Sequence, residues 1–123
     1  MTVITVPASK SLQTPDETRE FDHGMIELVT AGENNAARAT LRPGWRWSEH
    51  VRPIVGGDSC QVHHTGYCLA GRLGIRMEDG TELVIGAGEV YDIPPGHDGW
   101  VVGDESCVMI DWSPAGKDYA EPH

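Results

Sequence analysis

Side chains capable of binding a metal recur in the middle of the chain, at Cys60, His64 and His97. Alternate residues of a strand share a face, so an extended segment over residues 60–68 places Cys60 and His64 on the same side. Thiolate and imidazole suit Zn, Cu, Fe or Ni better than Mg or Ca. His97 follows a Pro-Pro-Gly turn and supplies a further ligand in this interpretation, which leaves one coordination position open for water or substrate.

A structural interpretation competes with this one. Cys60 and Cys68 are also explained as small buried apolar side chains, which is the usual place of a free cysteine. His63 has the opposite strand parity and is expected to face away from any site. Three cysteines, counting Cys107, are too few for a disulfide scaffold and contain no C-x-x-C pair, so all three are predicted to be reduced thiols.

Short strands are predicted to position these side chains. Fifteen glycines and eight prolines interrupt the chain, and the segments between them are rich in Val, Ile, Trp and Tyr, a pattern typical of an all-β domain. No segment shows the apolar periodicity of a helix. The predicted strands are 25–30, 36–41, 45–51, 61–70, 73–77, 81–85, 89–93, 100–102 and 107–112.

Composition divides the chain into three parts. Residues 1–22, with two prolines and a polar run, are predicted to be an extended arm that pairs with an edge strand of this chain or of a neighbouring subunit. Residues 23–113 are predicted to form one barrel, and 114–123 a polar tail. Asp79-Gly80 lies between two apolar segments and predicts a tight hairpin, because such a turn needs positive φ.

Length and charge exclude several classes of protein. A chain of 123 residues has room for one domain and one hydrophobic core. Its formal charge of -10 repels phosphate backbones and anionic lipids, so neither nucleic acid nor a membrane surface is an expected partner. Because no signal-peptide pattern and no apolar stretch of membrane-spanning length is seen, a cytoplasmic location is expected.

The stretch GAGEVYDIPPGHDGW contains Gly88, Pro94 and Gly96 at a spacing that resembles the second motif of the cupin superfamily, G-x5-P-x-G-x2-H-x3-N. The position of the metal-binding His in that motif is occupied by Gly99. The nearest imidazole is His97, two residues earlier and of the same strand parity. The Asn position is also a glycine.

A partial match to the first cupin motif, G-x5-H-x-H-x3-4-E-x6-G, lies upstream, with about seven or eight residues more than the motif has. Aligned from its N-terminal glycine, the two His positions are His50 and Arg52. Aligned from its C-terminal glycine, the two His positions are Asp58 and Cys60, and the Glu position is His64.

The resemblance implies an all-β, cupin-like double-stranded β-helix, which is a jelly-roll barrel, following the N-terminal extended arm. It implies a divalent transition metal in the barrel mouth (Fe, Ni, Cu, Mn or Zn) and frequently a homodimer. The metal ligands would come from His50, Cys60, His64 and His97. The extra residues of the first motif, 52–59, would be either a lid over the site or a surface loop.

Other groups near these positions could bind substrate or transfer protons. Asp98, Tyr67 and Tyr91 are the candidates for proton transfer. Arg46 could bind a carboxylate, and Trp100 could form a wall of the pocket. Each also has a structural explanation, since acids shape turns, arginines cover solvated strand faces, and large aromatic side chains pack in cores.

Three functions stay open at this point. The first is a metal-dependent enzyme, such as an oxygenase, isomerase or lyase, that acts on a small polar or carboxylate-bearing molecule. The second is a non-catalytic module that binds or senses a small-molecule ligand. The third is a haem or copper site with Cys60 and a histidine as axial ligands.

Overall fold

The computed structural model describes residues 6–113, which form nine strands and two short helices. The helices α1 (Trp47–His50) and α2 (Arg52–Val55) lie between the third and fourth strands. The strands are β1 (Glu17–Phe21), β2 (Gly24–Ala31), β3 (Asn34–Leu41), β4 (His64–Ala70), β5 (Arg72–Met77), β6 (Glu82–Gly86), β7 (Val90–Ile93), β8 (His97–Val101) and β9 (Cys107–Asp111).

The strands form two antiparallel sheets. The larger has the order β1-β2-β3-β9-β4-β7 and the smaller the order β6-β5-β8. The last strand, β9, therefore lies between β3 and β4 and joins the two halves of the larger sheet. Buried side chains of both sheets form one core, which includes Ile26, Leu28, Leu41, Leu73, Ile75, Ile93 and Met109. The all-β prediction is confirmed.

Alternation of side chains separates the inner and outer faces of the larger sheet. Leu28 of β2 lies opposite Ala37 of β3, and both are buried in the core. Glu27 and Arg38 lie opposite each other on the other face, where Arg38 Nε is 2.9 Å from Glu27 Oε1. One face of β2 and one face of β3 thus supply the core, as the period of two requires.

A tight hairpin joins β5 to β6, and β1 lies at the edge of the larger sheet. The hairpin at Asp79-Gly80 forms as predicted, with Gly80 at a φ of 92° between the paired strands β5 and β6. At the other end of the chain, β1 pairs with β2 of the same chain, the first of the two alternatives for the arm. Residues 1–5 and the predicted tail, 114–123, lie outside the described residues.

The predicted strand at 45–51 is wrong, because most of it forms helix α1. Trp47 and Val51 are both buried, and apolar residues four apart share a helix face just as alternate residues share a strand face. The spacing of Trp47 and Val51 therefore fits both the helical period of 3.6 residues and the strand period of two. A distant side chain favours the helix, since Asp98 Oδ1 accepts a hydrogen bond from the Ser48 N–H at 3.1 Å and satisfies a free donor of the first turn.

Neither helix within residues 6–113 is longer than four residues, and none has the length or apolar character needed to cross a membrane.

Candidate metal centre

Cys60, His64 and His97 come together in the interior, where a potential ligand atom of each lies within 4.8 Å of the other two. His64 is the first residue of β4 and His97 the first of β8. Cys60 precedes β4 and forms two backbone hydrogen bonds with His97, from Cys60 N–H to His97 O at 2.7 Å and from His97 N–H to Cys60 O at 3.3 Å. Backbone pairing therefore holds the cysteine beside the second histidine.

Both imidazole rings are oriented by an oxygen atom at Nδ1. His64 Nδ1 lies 2.7 Å from Asp111 Oδ2, and His97 Nδ1 lies 2.7 Å from the Pro94 carbonyl oxygen. Carboxylate and carbonyl oxygens only accept, so each ring donates through Nδ1. Nε2 is then the nitrogen that each ring can offer to a metal.

The carboxylate of Asp111 is itself fixed in place. Its Oδ1 accepts hydrogen bonds from the Ser113 N–H at 2.9 Å and from the Ser113 hydroxyl at 2.6 Å. Asp111 is buried, and burying a carboxyl group is unfavourable unless hydrogen bonds compensate for the lost water. The orientation of the His64 ring is consequently set by a chain of hydrogen bonds that begins at the end of β9.

Cys60 and His64 form a charge pair. Cys60 Sγ lies 3.8 Å from His64 Nε2. Burial raises the pKa of the Cys60 thiol, but hydrogen bonds and charge from His64 and His97 outweigh burial and lower the pKa to about 6. Burial likewise lowers the pKa of His64, but hydrogen bonds to Asp111 and Cys60 raise it to about 9. Without a metal, thiolate and imidazolium are therefore the favoured forms at neutral pH.

The donor set fits a divalent transition metal. A thiolate with two imidazoles suits Zn, Fe, Cu or Ni, and three protein ligands leave a position for water or another ligand. Metal-bound histidines usually donate their other ring N–H to a carboxylate, a backbone carbonyl or water. His64 and His97 both have this arrangement.

A cavity of about 50 Å³ lies beside the two histidines. Its polar lining residues, among those described, are His64, His97, Tyr91 and Asp111. The remaining lining is mostly apolar and comes from both sheets and helix α1, with Ile26, Leu41, Trp45, Trp47, Ile75 and Met109 among its residues. The two histidines of the cluster therefore face a small, largely apolar space, and Cys60 lies behind them, outside its lining.

No protein-family model and no curated protein matches the chain, but solved structures resemble it. A protein of unknown function (DUF1255) from Acidithiobacillus ferrooxidans has a TM-score of 0.60 at 19% identity, over 89% of this chain and 94% of that chain. A mutant oxalate decarboxylase from Bacillus subtilis has a TM-score of 0.60 at 14% identity, over 92% of this chain and 30% of that chain. KdgF from Halomonas has a TM-score of 0.51 at 16% identity, over 73% of this chain and 76% of that chain. The chain has the cupin fold.

Within this cupin barrel, the alignment from the C-terminal end of the first motif corresponds better to the geometry. Of the three positions in that alignment, Cys60 and His64 lie beside His97, and only the Asp58 side chain is almost fully exposed. At the usual His position of the second motif, a Cβ on Gly99 would lie 3.3 Å from Ile75 Cδ1 and 3.7 Å from Trp45. The barrel is thus crowded at Gly99, where the motif has its histidine. The imidazole of this chain comes from His97, two residues earlier.

His50 lies in a different cluster, with Asp22 and His23. Its Nδ1 accepts a hydrogen bond from the Arg46 N–H at 3.0 Å, and its Nε2 is 3.7 Å from Asp22 Oδ2. Because a backbone N–H can only donate, the ring proton of neutral His50 is on Nε2, which then has no lone pair for a metal. The structure therefore does not bring this predicted ligand to the cupin site, and His50 instead stabilises the turn of α1.

The two predicted tyrosines face opposite sides of the larger sheet. Tyr91 lines the cavity, and its hydroxyl lies 3.4 Å from the Ile110 carbonyl oxygen. Burial, followed by the negative charge of Asp111, raises the pKa of Tyr91 far above its usual range, so its hydroxyl stays protonated. Tyr67 pairs with Val90 and Ile110 on the outer face and does not line the cavity.

Asp98, Arg46 and Trp100 form a group on the outer face of the smaller sheet. In β8, His97 and Gly99 are buried, while Asp98 and Trp100 alternate with them. The Arg46 guanidinium lies 4.9 Å from the centre of the Trp100 ring, and its Nη1 is 3.6 Å from Asp98 Oδ2. None of the three lines the cavity, so their predicted roles in proton transfer and substrate binding do not fit this placement.

The inserted residues 52–59 do not line the cavity either. They form helix α2 and then pass through Gly56 and Gly57 at φ values of 79° and 85°. Most of the segment is exposed. The segment is therefore a surface loop, the second of the two predicted alternatives.

Asp111 is the site residue that sequence reasoning missed. The signal was its parity, because Cys107 and Met109 alternate with it along β9 and all three are buried. An acid on the inward face of a strand requires a partner, and here the partner is His64.

Proposed function

We propose that this cupin binds a divalent transition metal through Cys60 Sγ and the Nε2 atoms of His64 and His97, and that the adjoining cavity holds a small-molecule ligand. The observation that carries the proposal is the second hydrogen bond of each imidazole, from His64 Nδ1 to Asp111 and from His97 Nδ1 to Pro94 O. Those bonds direct both Nε2 atoms toward the thiolate, as in protein metal sites.

A bound metal would act as a Lewis acid on an oxygen of a molecule in the cavity. The side chains of the chain itself would do the rest. The apolar lining excludes bulk water, which strengthens electrostatic interactions inside. The Tyr91 hydroxyl donates its proton to the Ile110 carbonyl oxygen, so its oxygen can accept a hydrogen bond from the ligand. Asp111 keeps the His64 ring in place.

Metal content tests the proposal directly. Protein purified without chelators is analysed for metals, and the metal-free form is titrated with Zn²⁺ and Co²⁺. One equivalent of metal is expected, with a sulfur-to-cobalt charge-transfer absorption in the ultraviolet. Cys60→Ser should remove that absorption, and His64→Ala should weaken binding strongly.

Matched controls exist for both variants. His63 is adjacent to His64 but is exposed and pairs with Asp92 on the outer face, so His63→Ala should bind metal normally. Cys68 is fully buried on β4, the strand that begins at His64, and lies outside the cluster. Cys68→Ser should therefore keep the charge-transfer band. Full metal binding by Cys60→Ser and His64→Ala would reject this ligand set.

A non-catalytic binding module is the second candidate function. It is favoured by the scarcity of proton carriers at the cavity, because Tyr91 stays protonated, Asp111 is bound to His64, and Asp98 and Tyr67 lie on outer faces. To separate the two functions, small molecules that copurify are extracted, identified by mass spectrometry and incubated with metal-loaded protein. Recovery of the same mass with an unchanged NMR spectrum supports binding alone. A changed mass supports an enzyme, and the same mass with a changed spectrum supports an isomerase.

The third candidate is a haem or copper site, and its haem alternative does not fit the structure. A cavity of about 50 Å³ holds roughly three to five water molecules. A porphyrin ring is several times larger than that space.

A homodimer is also proposed. The outer face of the larger sheet exposes apolar side chains, with Val90 72% and Leu69 50% exposed beside Tyr67. Burying such side chains against a second copy would be favourable. Light scattering after size exclusion should give twice the monomer mass for the native chain and the monomer mass for Val90→Glu. A native chain that elutes as a monomer would reject this interface.

A further inference from the structure

The lining of the cavity limits the charge of its ligand. No Lys or Arg of residues 6–113 lines it. The His64 imidazole at the cavity wall already has a carboxylate partner, since its Nδ1 lies 2.7 Å from Asp111 Oδ2. Arg46, the residue predicted to bind a carboxylate, instead stacks on Trp100 outside the cavity. In the metal-free protein, a carboxylate in this space would lose its hydration and meet the Asp111 carboxylate, so an uncharged molecule fits better.

One lining residue has an unsatisfied hydrogen-bond donor. Trp45 is 3% exposed, and both of its backbone groups are bonded, the N–H to Arg42 O and the carbonyl to the Val101 N–H, each at 3.0 Å. Its indole Nε1–H is buried and has no acceptor among the described residues. Buried donors in folded proteins nearly always have a partner.

The size of the cavity restricts the ligand further. About 50 Å³ corresponds to roughly three to five water molecules, which is the space of a compact molecule of about six non-hydrogen atoms. The apolar side chains around it, such as Leu41, Ile75 and Met109, favour a hydrocarbon body.

We infer that the ligand is a small, uncharged and mostly hydrocarbon molecule with an oxygen acceptor, such as a ketone, that accepts a hydrogen bond from Trp45 Nε1. This inference rests on the proposed function in taking the cavity as the ligand site. It departs from the sequence-based expectation of a polar or carboxylate-bearing molecule, because the cavity lining is mostly apolar. Trp45 acts here as a specificity-determining residue, because losing an acceptor leaves its buried donor unpaired again.

Three probes of six non-hydrogen atoms separate charge from acceptor chemistry: cyclopentanone, methylenecyclopentane and butyrate. Each is titrated into ¹⁵N-labelled protein, both metal-free and loaded with zinc, while the four indole N–H resonances are followed by NMR. The Trp45 resonance is assigned from its loss in Trp45→Phe. Trp112→Phe serves as the matched control, because Trp112 is 47% exposed and does not line the cavity.

Cyclopentanone is expected to bind about tenfold more tightly than either other probe to the metal-free protein. It alone should shift the Trp45 indole resonance downfield, as hydrogen bonding does. In Trp45→Phe, the ketone should lose its advantage over the alkene, while Trp112→Phe should retain it. The comparison of the three probes on the native chain needs no variant. It therefore tests the inference even if Trp45→Phe folds poorly.

Equal affinity for the ketone and the alkene would overturn the inference, as would tighter binding of butyrate to the metal-free protein. Failure of all three probes to enter would also overturn it and would leave ordered water as the partner of Trp45. Metal content, measured on the same samples, reports on the proposed metal centre separately. Zinc binding without ketone binding rejects only the inference, and ketone binding without zinc binding rejects only the metal centre.

Discussion

Asp111 Oδ2 lies 2.7 Å from His64 Nδ1, while Nε2 of the same ring lies 3.8 Å from Cys60 Sγ. The imidazole is therefore held between a carboxylate on one edge and a thiol on the other. This arrangement makes the thiolate the favoured form of Cys60 and fixes which nitrogen a metal would meet.

Asp111→Asn is predicted to weaken zinc binding by roughly 10- to 100-fold, because a metal-bound histidine loses basicity and orientation without its carboxylate partner. A chelator competition assay measures the change. Asp92→Asn is the control, since Asp92 pairs with His63 on the outer face. Equal zinc affinities for the two variants would contradict the positioning role of Asp111.

The Cys60 thiol is predicted to ionise near pH 6 in the metal-free protein. Its pKa is depressed, so the thiolate ultraviolet absorbance should rise as the pH increases through that value and fall below it. Cys60→Ser should remove this transition. His64→Ala should move it to higher pH, because the imidazolium that favours the thiolate is lost.

Cys68→Ser is the control for that titration. Burial raises the pKa of Cys68, and burial raises that of Cys107 to about 12. Neither thiol should therefore contribute to the change in thiolate absorbance near pH 6. Loss of the transition in Cys68→Ser would therefore show that it was assigned to the wrong cysteine.

Gly66→Ala is predicted to reduce the free energy of unfolding by about 1–3 kcal/mol. A Cβ at Gly66 would overlap both the Ile110 carbonyl oxygen and the Tyr91 hydroxyl. Urea denaturation measures the loss. Gly86→Ala, on β6, should change stability little, because its Cβ would have 3.4 Å to the nearest atom, Glu89 Oε1. Comparable stability of the two variants would disagree with this packing.

Asp98→Ala is predicted to cost about 1 kcal/mol of stability, because Asp98 Oδ1 accepts hydrogen bonds from the Ser48 N–H of α1 and from the Gly99 N–H. Zinc content should be unchanged, since Asp98 faces away from the cavity. Thermal unfolding and elemental analysis check the two expectations, with exposed Asp104→Ala as control. Loss of zinc from a folded Asp98→Ala protein would instead place Asp98 at the site.

Local patterns predicted much of the fold. Glycine and proline spacing indicated short strands, and eight of the nine predicted segments overlap observed strands. The exception, 45–51, contains Trp47 and Val51 at a spacing that suits one helical turn as well as a strand. A segment this short fits the helical and the strand period equally well. The hydrogen bond that Asp98, far along the chain, accepts from the Ser48 N–H favours the helix.

The candidate site was predicted only in part. Strand parity placed Cys60 and His64 together, although Cys60 lies before the strand and meets His97 through a backbone bridge. His50 lies at the spacing of the first motif's histidine, yet its Nδ1 accepts a hydrogen bond from the Arg46 N–H in its own turn. Asp111 was missed because it follows His64 by 47 residues in the chain.

The sequence by itself determined which donor side chains exist, that they are soft enough for a transition metal, and that short strands carry them. Only the tertiary structure decided which of them meet. β9 inserts between β3 and β4 and brings Asp111 to the inner face next to His64, while the pairing of Cys60 with His97 joins two segments from different parts of the chain. Such non-local strand pairing depends on how the whole core packs, so local periodicity and motif spacing do not specify it.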